Sequence, residues 1–281
     1  MNKFLLEKTK LQVLKKFKAV KAIPQIAIIT GSGIKIFKNQ KPLLEIKYDE
    51  LPIWSKKKQR DKEAEKQKIK GHEGILKLYK VQNKDILLFS GRHHLYQGYE
   101  IIDVVANIRL CYELGVKNLI VTNAAGSLNL KEKKILRVSD LMLITAFIDL
   151  MQSTERGTLS GIIQPPSKIK TGLNRLILKK LHPYIRAGTY AGTLGPSYET
   201  YSEIKLLQSL KAHAVGMSTI PEIIAAKSLG INYAAISIIS NIWNKNHKPS
   251  HIEVLKNVSK ANERLNNLIL KLLDHINNQV K

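Results

Sequence analysis

The chain has 281 residues, 44% of them hydrophobic and 6% aromatic, which supports one large core built mainly of Ile, Leu, Val and Ala. A lone cysteine, Cys111, excludes an intrachain disulfide and a thiolate metal cluster and fits a reducing, cytoplasmic setting. The formal net charge is +24. The lysines are scattered and not interleaved with aromatic rings, so the excess reads as compositional drift that attracts small anions rather than as a nucleic-acid platform.

The N-terminal MNKFLLEKTKLQVLKKFK breaks its apolar runs with Glu and Lys. It reads as an amphipathic helix packed on the domain and not as a signal peptide. No segment approaches the ~20 apolar residues of a membrane span. Gln25–Thr30 (QIAIIT) reads as a buried strand ending in Gly31-Ser32-Gly33. Ser55–Lys70 is a charged run without a core pattern, a flexible solvated loop. Ile75–Lys80 and Asp85–Ser90 form a strand pair across Gln82-Asn83-Lys84. Glu100–Leu114 has helical periodicity, and Gly115 is placed to end it.

Lys117–Thr122 is another buried strand, ending in the small-residue turn Asn123-Ala124-Ala125-Gly126, and Asp140–Thr145 is a further one. Tyr198–Ala212 is helical, with Tyr198 and Glu199 at its start, and Ala214–Met217 is strand-like. Ser218 stands as an N-cap before a helix that Pro221 opens and Gly230 closes. Asn232–Ser240 is one more apolar strand. His251–Val280 is a long terminal helix with Ile252, Leu255, Val258, Leu265, Leu268 and Leu272 on its stripe.

Strands alternating with helices predict a single α/β domain over residues 1–281, with a central mixed, twisted sheet flanked by helices. Ligands of such sheets sit at the carboxyl ends of strands. Ser32, Arg92, Asn123, Ala124, Ser218 and Asn241 each follow a predicted strand, which points to one composite site. Gly31-Ser32-Gly33 alone is only a turn that can expose backbone N–H groups to phosphate. Gly91-Arg92-His93-His94-Leu95-Tyr96-Gln97-Gly98-Tyr99 is more specific, because Arg offers a planar fork of donors to phosphate oxygens and His adds another. Tyr198, Glu199 and Ser218 add an aromatic ring, a carboxylate and a helix-start hydroxyl. Together they suit a flat heterocycle with ring N–H donors, a sugar and a phosphate.

The motifs GSG, GRHHLYQGY, TNAAGSLN, LGPSYET, AVGMST-PE and Ser240-Asn241 occur in the order seen in the trimeric purine nucleoside phosphorylases, and the chain resembles that family from Ile23 to the terminal helix. The resemblance implies phosphorolysis of purine ribonucleosides and deoxyribonucleosides, such as inosine and guanosine, to free base and (deoxy)ribose 1-phosphate in purine salvage. It implies a homotrimer, inorganic phosphate as co-substrate, and no metal or other cofactor. The family's phosphate site falls on Ser32, His72, Arg92, His94, Ala124 and Ser218. The base site falls on Tyr198, Glu199, Val215, Met217 and Asn241, and the ribose lies against Tyr96, Met217 and His251. Glu199, Asn241 and His94 carry the catalytic roles.

In related phosphorylases of methylthioadenosine an Asp stands where Asn241 is here, so an amide at this place implies a preference for 6-oxopurines. The loop IWNKNHKPSH is shorter than in the family, and His247 competes with His251 for the sugar. Met151–Leu173 has no Phe, where the family supplies an aromatic residue to the neighbouring subunit. The alternatives are a methylthioadenosine or xanthosine phosphorylase and, from another class, a basic nucleic-acid-binding protein on a degenerate phosphorylase fold.

Overall fold

Strand β1 (Ile26–Thr30) is buried along its whole length. Its side chains alternate between two cores, Ala27 and Ile29 in one, Ile26 and Ile28 in the other. A strand with two apolar faces needs a layer on each side. The computed structural model describes residues 3–55, 73–128, 136–151, 166–244 and 249–276. Of the charged run expected to form a loop at 55–70 only Ser55 falls among them, and His72, His247 and most of 151–173 lie outside.

Helix α1 (Lys3–Ala19) buries Leu6, Thr9, Val13 and Phe17, spaced along one face. It shares the first core with α4 (Ala106–Glu113) and α7 (Ile220–Ser228), through Ile108, Leu110, Ile220 and Ile223. The second core holds α5 (Gly172–Lys180) and α8 (His251–His275), through Leu173, Ile177, Val258, Leu265 and Leu272. On α8 the expected stripe is buried at Val258, Leu265, Leu268 and Leu272, whereas Leu255 is half-buried and Ile252 is 74% exposed; Val254 and Ala261 are the other inward positions. The expected helix at Glu100–Leu114 is two, α3 (Ile101–Val104) and α4, because Val105 leaves the helical region at φ −95°, ψ 9°.

β1 is flanked by parallel β4 (Lys84–Ser90) and parallel β5 (Asn118–Ser127), and β5 is parallel to β10 (Asn232–Ile242). β3 (Ile75–Val81) returns antiparallel to β4 across Gln82 and Asn83, whose φ values of 49° and 61° are those a tight two-residue hairpin requires. β2 (Leu44–Lys47) forms that edge. On the other side β6 (Leu141–Asp149) pairs antiparallel with β10, β8 (Arg186–Gly192) parallel with β6, and β9 (Ala214–Gly216) parallel with β8. β9 also pairs with the far end of β5, so β5, β10, β6, β8 and β9 close into a ring. The mixed sheet flanked by helices is as expected, and the ring closure is an addition. β5 runs on through Asn123-Ala124-Ala125-Gly126, which the sequence reads as a loop: the small side chains let β9 and β10 approach the strand on both sides.

Candidate active site

β1, β4, β5 and β10 run in one direction, so their carboxyl ends share an edge of the sheet. A cavity of about 720 Å³ opens there. Ser32, His94, Ala124 and Ser218, all expected at the phosphate, line it. So do Tyr96, Tyr198, Glu199, Val215, Met217, Asn241 and His251, expected at base and sugar. Residues spread over most of the chain thus reach one pocket.

Arg92 is placed differently from the expectation of a direct phosphate contact. Its side chain is 1% exposed and does not line the cavity. Glu222 Oε2 lies 3.0 Å from Nη1. The same nitrogen donates to Thr219 Oγ1 at 3.0 Å and Ser218 Oγ at 3.3 Å, and Nη2 donates to the carbonyl oxygens of Thr122 and Ile29. Arg92 therefore stands behind the wall that Ser218 forms. Burying a guanidinium is tolerable here because Glu222 lies against its charge and protein oxygens accept from both Nη1 and Nη2.

His94 lies beside Tyr96, with ring centroids 4.9 Å apart. Gln97 Oε1 accepts from the His94 backbone N–H at 3.0 Å and lies 3.2 Å from Nδ1. Nδ1 thus carries the proton and points it at Gln97. Burial, then the positive charges of Arg92 and His93, push the imidazole down to about 3, against the Gln97 hydrogen bond. At neutral pH His94 is an uncharged ring.

Glu199 precedes helix α6 (Tyr201–Ser209), whose N-cap is Thr200; the expected helix start at Tyr198 is three residues early because Thr200 and Glu203 form the capping box. Thr193 Oγ1 donates to Glu199 Oε1 at 2.8 Å, which leaves Oε2 to accept from a ligand. Burial pushes the Glu199 carboxyl up, and the Thr193 bond opposes it. Asn241 closes β10. Ser240 Oγ lies 2.8 Å from Asn241 Oδ1, so the amine is the donor end of that amide. A Cβ on Gly126 would come within 3.1 Å of Asn241 Nδ2, so a larger residue there would crowd this amide. Gly195, at φ +73°, would drive a Cβ to 2.5 Å from Met217 Sδ and 3.1 Å from Tyr96. Tyr96 and Met217 thus both pack close to the Gly195 backbone.

Ser218 is not the cap of α7; Thr219 is, at φ +77° and without a side-chain capping bond. Sequence reasoning missed Thr193, Thr219 and Glu222. Glu222 and Thr219 stood in the AVGMST-PE motif, and a buried Arg nearby was the missing clue to them. Nothing local marks Thr193.

Comparison with known proteins gives the pocket its class. The chain belongs to the phosphorylase superfamily, whose family model matches residues 25–274. Within it, the chain is 33% identical over 228 residues to purine nucleoside phosphorylase 1 of Bacillus subtilis (strain 168), covering 78% of this chain and 79% of that one. It is 31% identical over 276 residues to purine nucleoside phosphorylase of Rattus norvegicus, covering 90% and 89%. A solved structure of schistosoma purine nucleoside phosphorylase in complex with hypoxanthine superposes with a TM-score of 0.76 at 26% identity, over 98% of both chains.

Proposed function

We propose that the chain, as a single catalytic domain, phosphorolyses purine nucleosides, with 6-oxopurine ribosides and deoxyribosides such as inosine and guanosine as substrates. The observation that carries this is one cavity lined both by Glu199 and Asn241, which suit a purine edge, and by Ser32, Ala124, Ser218 and His94, which suit a phosphate.

In this reading phosphate is held at Ser32, Ala124 and Ser218, with His94 beside it and Arg92 supporting Ser218 from behind. His72 belongs to the same end by resemblance. Tyr96, Met217 and His251 flank the ribose, and Tyr198 and Val215 flank the base. A phosphate oxygen attacks C1′ and forms the new C–O bond as the C1′–N9 bond breaks. The bonding pair leaves on the purine, which takes a proton from solvent. Positive charge on the sugar is met by phosphate. Negative charge on the base spreads to O6 and N7, where Asn241 Nδ2 donates; positioned donors of this kind contribute about 10²–10³ in rate. Glu199 Oε2 accepts the purine N1–H. The chemistry needs no activated side-chain nucleophile, no metal and no cofactor besides inorganic phosphate.

The partners are purine nucleoside and phosphate, not nucleic acid or a membrane. The protein acts as a homotrimer, supported by its resemblance to the trimeric class, and in the cytoplasm, supported by its single free buried cysteine. Asn241 in place of Asp sets it apart from methylthioadenosine phosphorylases. The test is release of hypoxanthine from inosine with and without phosphate. Release only with phosphate is expected; none at millimolar phosphate refutes the reading. A panel of adenosine, methylthioadenosine and xanthosine checks the base preference, and sedimentation checks the trimer.

A further inference from the structure

Thr219 is a β-branched residue at φ +77°, a backbone region where such side chains are outliers and cost of order 1–3 kcal/mol. It is buried, and its hydroxyl oxygen sits where several donors meet. Arg92 Nη1 donates to it at 3.0 Å and Asn123 Nδ2 at 2.8 Å. A hydroxyl has two acceptor sites and one proton. With both sites occupied, the proton goes to the remaining neighbour, Ser218 Oγ, at 3.2 Å. Ser218 Oγ also accepts from Arg92 Nη1 at 3.3 Å. Its own acceptor sites are then filled, and its proton is turned to the cavity that it lines.

We infer that Arg92, Asn123 and Thr219, anchored by Glu222, form a one-way hydrogen-bond relay that makes Ser218 a pure donor to the phosphate co-substrate, with Thr219 as the positioning residue that sets its direction. The inference rests on the phosphorolysis reading. Glu222 neutralises the Arg92 charge, yet its Oε2, 3.0 Å from Nη1, has no aligned hydrogen bond among the described residues. Both Nη1 protons are therefore left for the two hydroxyls. Asn107 Nδ2 holds the other oxygen, Oε1, at 3.2 Å. An anion meets a donor at Ser218, while a ligand group that must donate finds no acceptor there. The strained backbone at Thr219 is what brings its oxygen to this crossing.

The test compares wild type with Thr219→Val, which keeps the shape and removes the hydroxyl, and Thr219→Ser, which restores it. Inorganic phosphate is titrated by calorimetry, and phosphate and inosine KM values are measured separately. The expected result is phosphate binding about tenfold weaker in the valine variant, within about twofold of wild type in the serine variant, with the inosine KM unmoved. Equal phosphate affinity in wild type and the valine variant overturns the relay. Equal loss in the serine and valine variants also overturns it, since that marks packing alone. Should the valine variant not fold, Thr219→Ala carries the same expectation. Wild type that binds phosphate in the expected pattern but releases no hypoxanthine sinks the phosphorolysis reading and leaves the relay standing. Wild type that binds no phosphate at millimolar concentration overturns both.

Discussion

Acidification should destabilise this protein through His94, and the size of the effect follows from the site. The imidazole is 7% exposed, and burial together with Arg92 and His93 holds it down to about 3. In the unfolded chain it returns to about 6.5. The folded value lies below the unfolded one, so as pH falls the unfolded state takes up the proton first. The stability that neutral His94 contributes is complete above about pH 6.5 and is lost progressively toward pH 3. At ~1.36 kcal/mol per pH unit, about 1.4 kcal/mol is gone at pH 5.5 and about 2.7 kcal/mol at pH 4.5. A loss of 1.4 kcal/mol lowers Tm by roughly 3–6 °C in a chain of this size class. His213 is also held down by burial, so the wild-type curve alone does not isolate His94. The assay is therefore urea unfolding at pH 7.5 and 5.5 of wild type and His94→Gln. Wild type should lose about 1.4 kcal/mol more than the variant between the two pH values. Parallel losses in the two proteins would show that His94 is protonated as easily folded as unfolded, and the reasoning would be wrong.

Glu199→Gln replaces the acceptor for the purine N1–H with an amide, and should lower kcat/KM for inosine about 10²-fold while the phosphate KM stays within about twofold; a matched rise in both KM values would contradict the division of the cavity. Asn241→Asp exchanges a donor for an acceptor at the 6-position and should shift the adenosine-to-inosine ratio of kcat/KM toward adenosine by about tenfold or more; an unmoved ratio places the purine elsewhere. Gly195→Ala meets both a φ of +73° and a contact of 2.5 Å with Met217 Sδ, so a loss of about 1–3 kcal/mol in urea unfolding is expected. An unchanged unfolding midpoint would mean that Met217 and the backbone at 195 yield freely.

Local patterns carried most of the fold. Gln25–Thr30 is legible because a strand buried on two faces must be apolar at every position, and β1 is. The Gln82-Asn83 turn is legible because few side chains accept two left-handed residues in a row. The end of β5 was not, because Asn123-Ala124-Ala125-Gly126 has the composition of a turn and becomes strand only through β9 and β10. The break at Val105 is likewise silent, since no Pro or Gly marks it. Tyr198, Glu199, Ser218 and Asn241 were legible as candidate site residues because each lies at or beside the boundary of an element, where a side chain can reach a ligand.

The sequence by itself determined the alternation of strands and helices, the edge of the sheet on which the cavity opens, and residue types in its lining that suit a purine and an oxyanion. Those features depend on spacing over a few residues, and short-range sterics and burial decide them. Only the tertiary structure decided what Arg92 does. Ser218 lies 126 residues away along the chain, and no local rule says whether a guanidinium faces a cavity or stands behind a hydroxyl. The closure of β9 onto β5, the neutral state of His94 and the Thr193 bond to Glu199 belong to the same category. Each is set by which distant groups share a small, poorly hydrated volume, where an unpaired charge or donor is costly and every polar atom is steered by its neighbours.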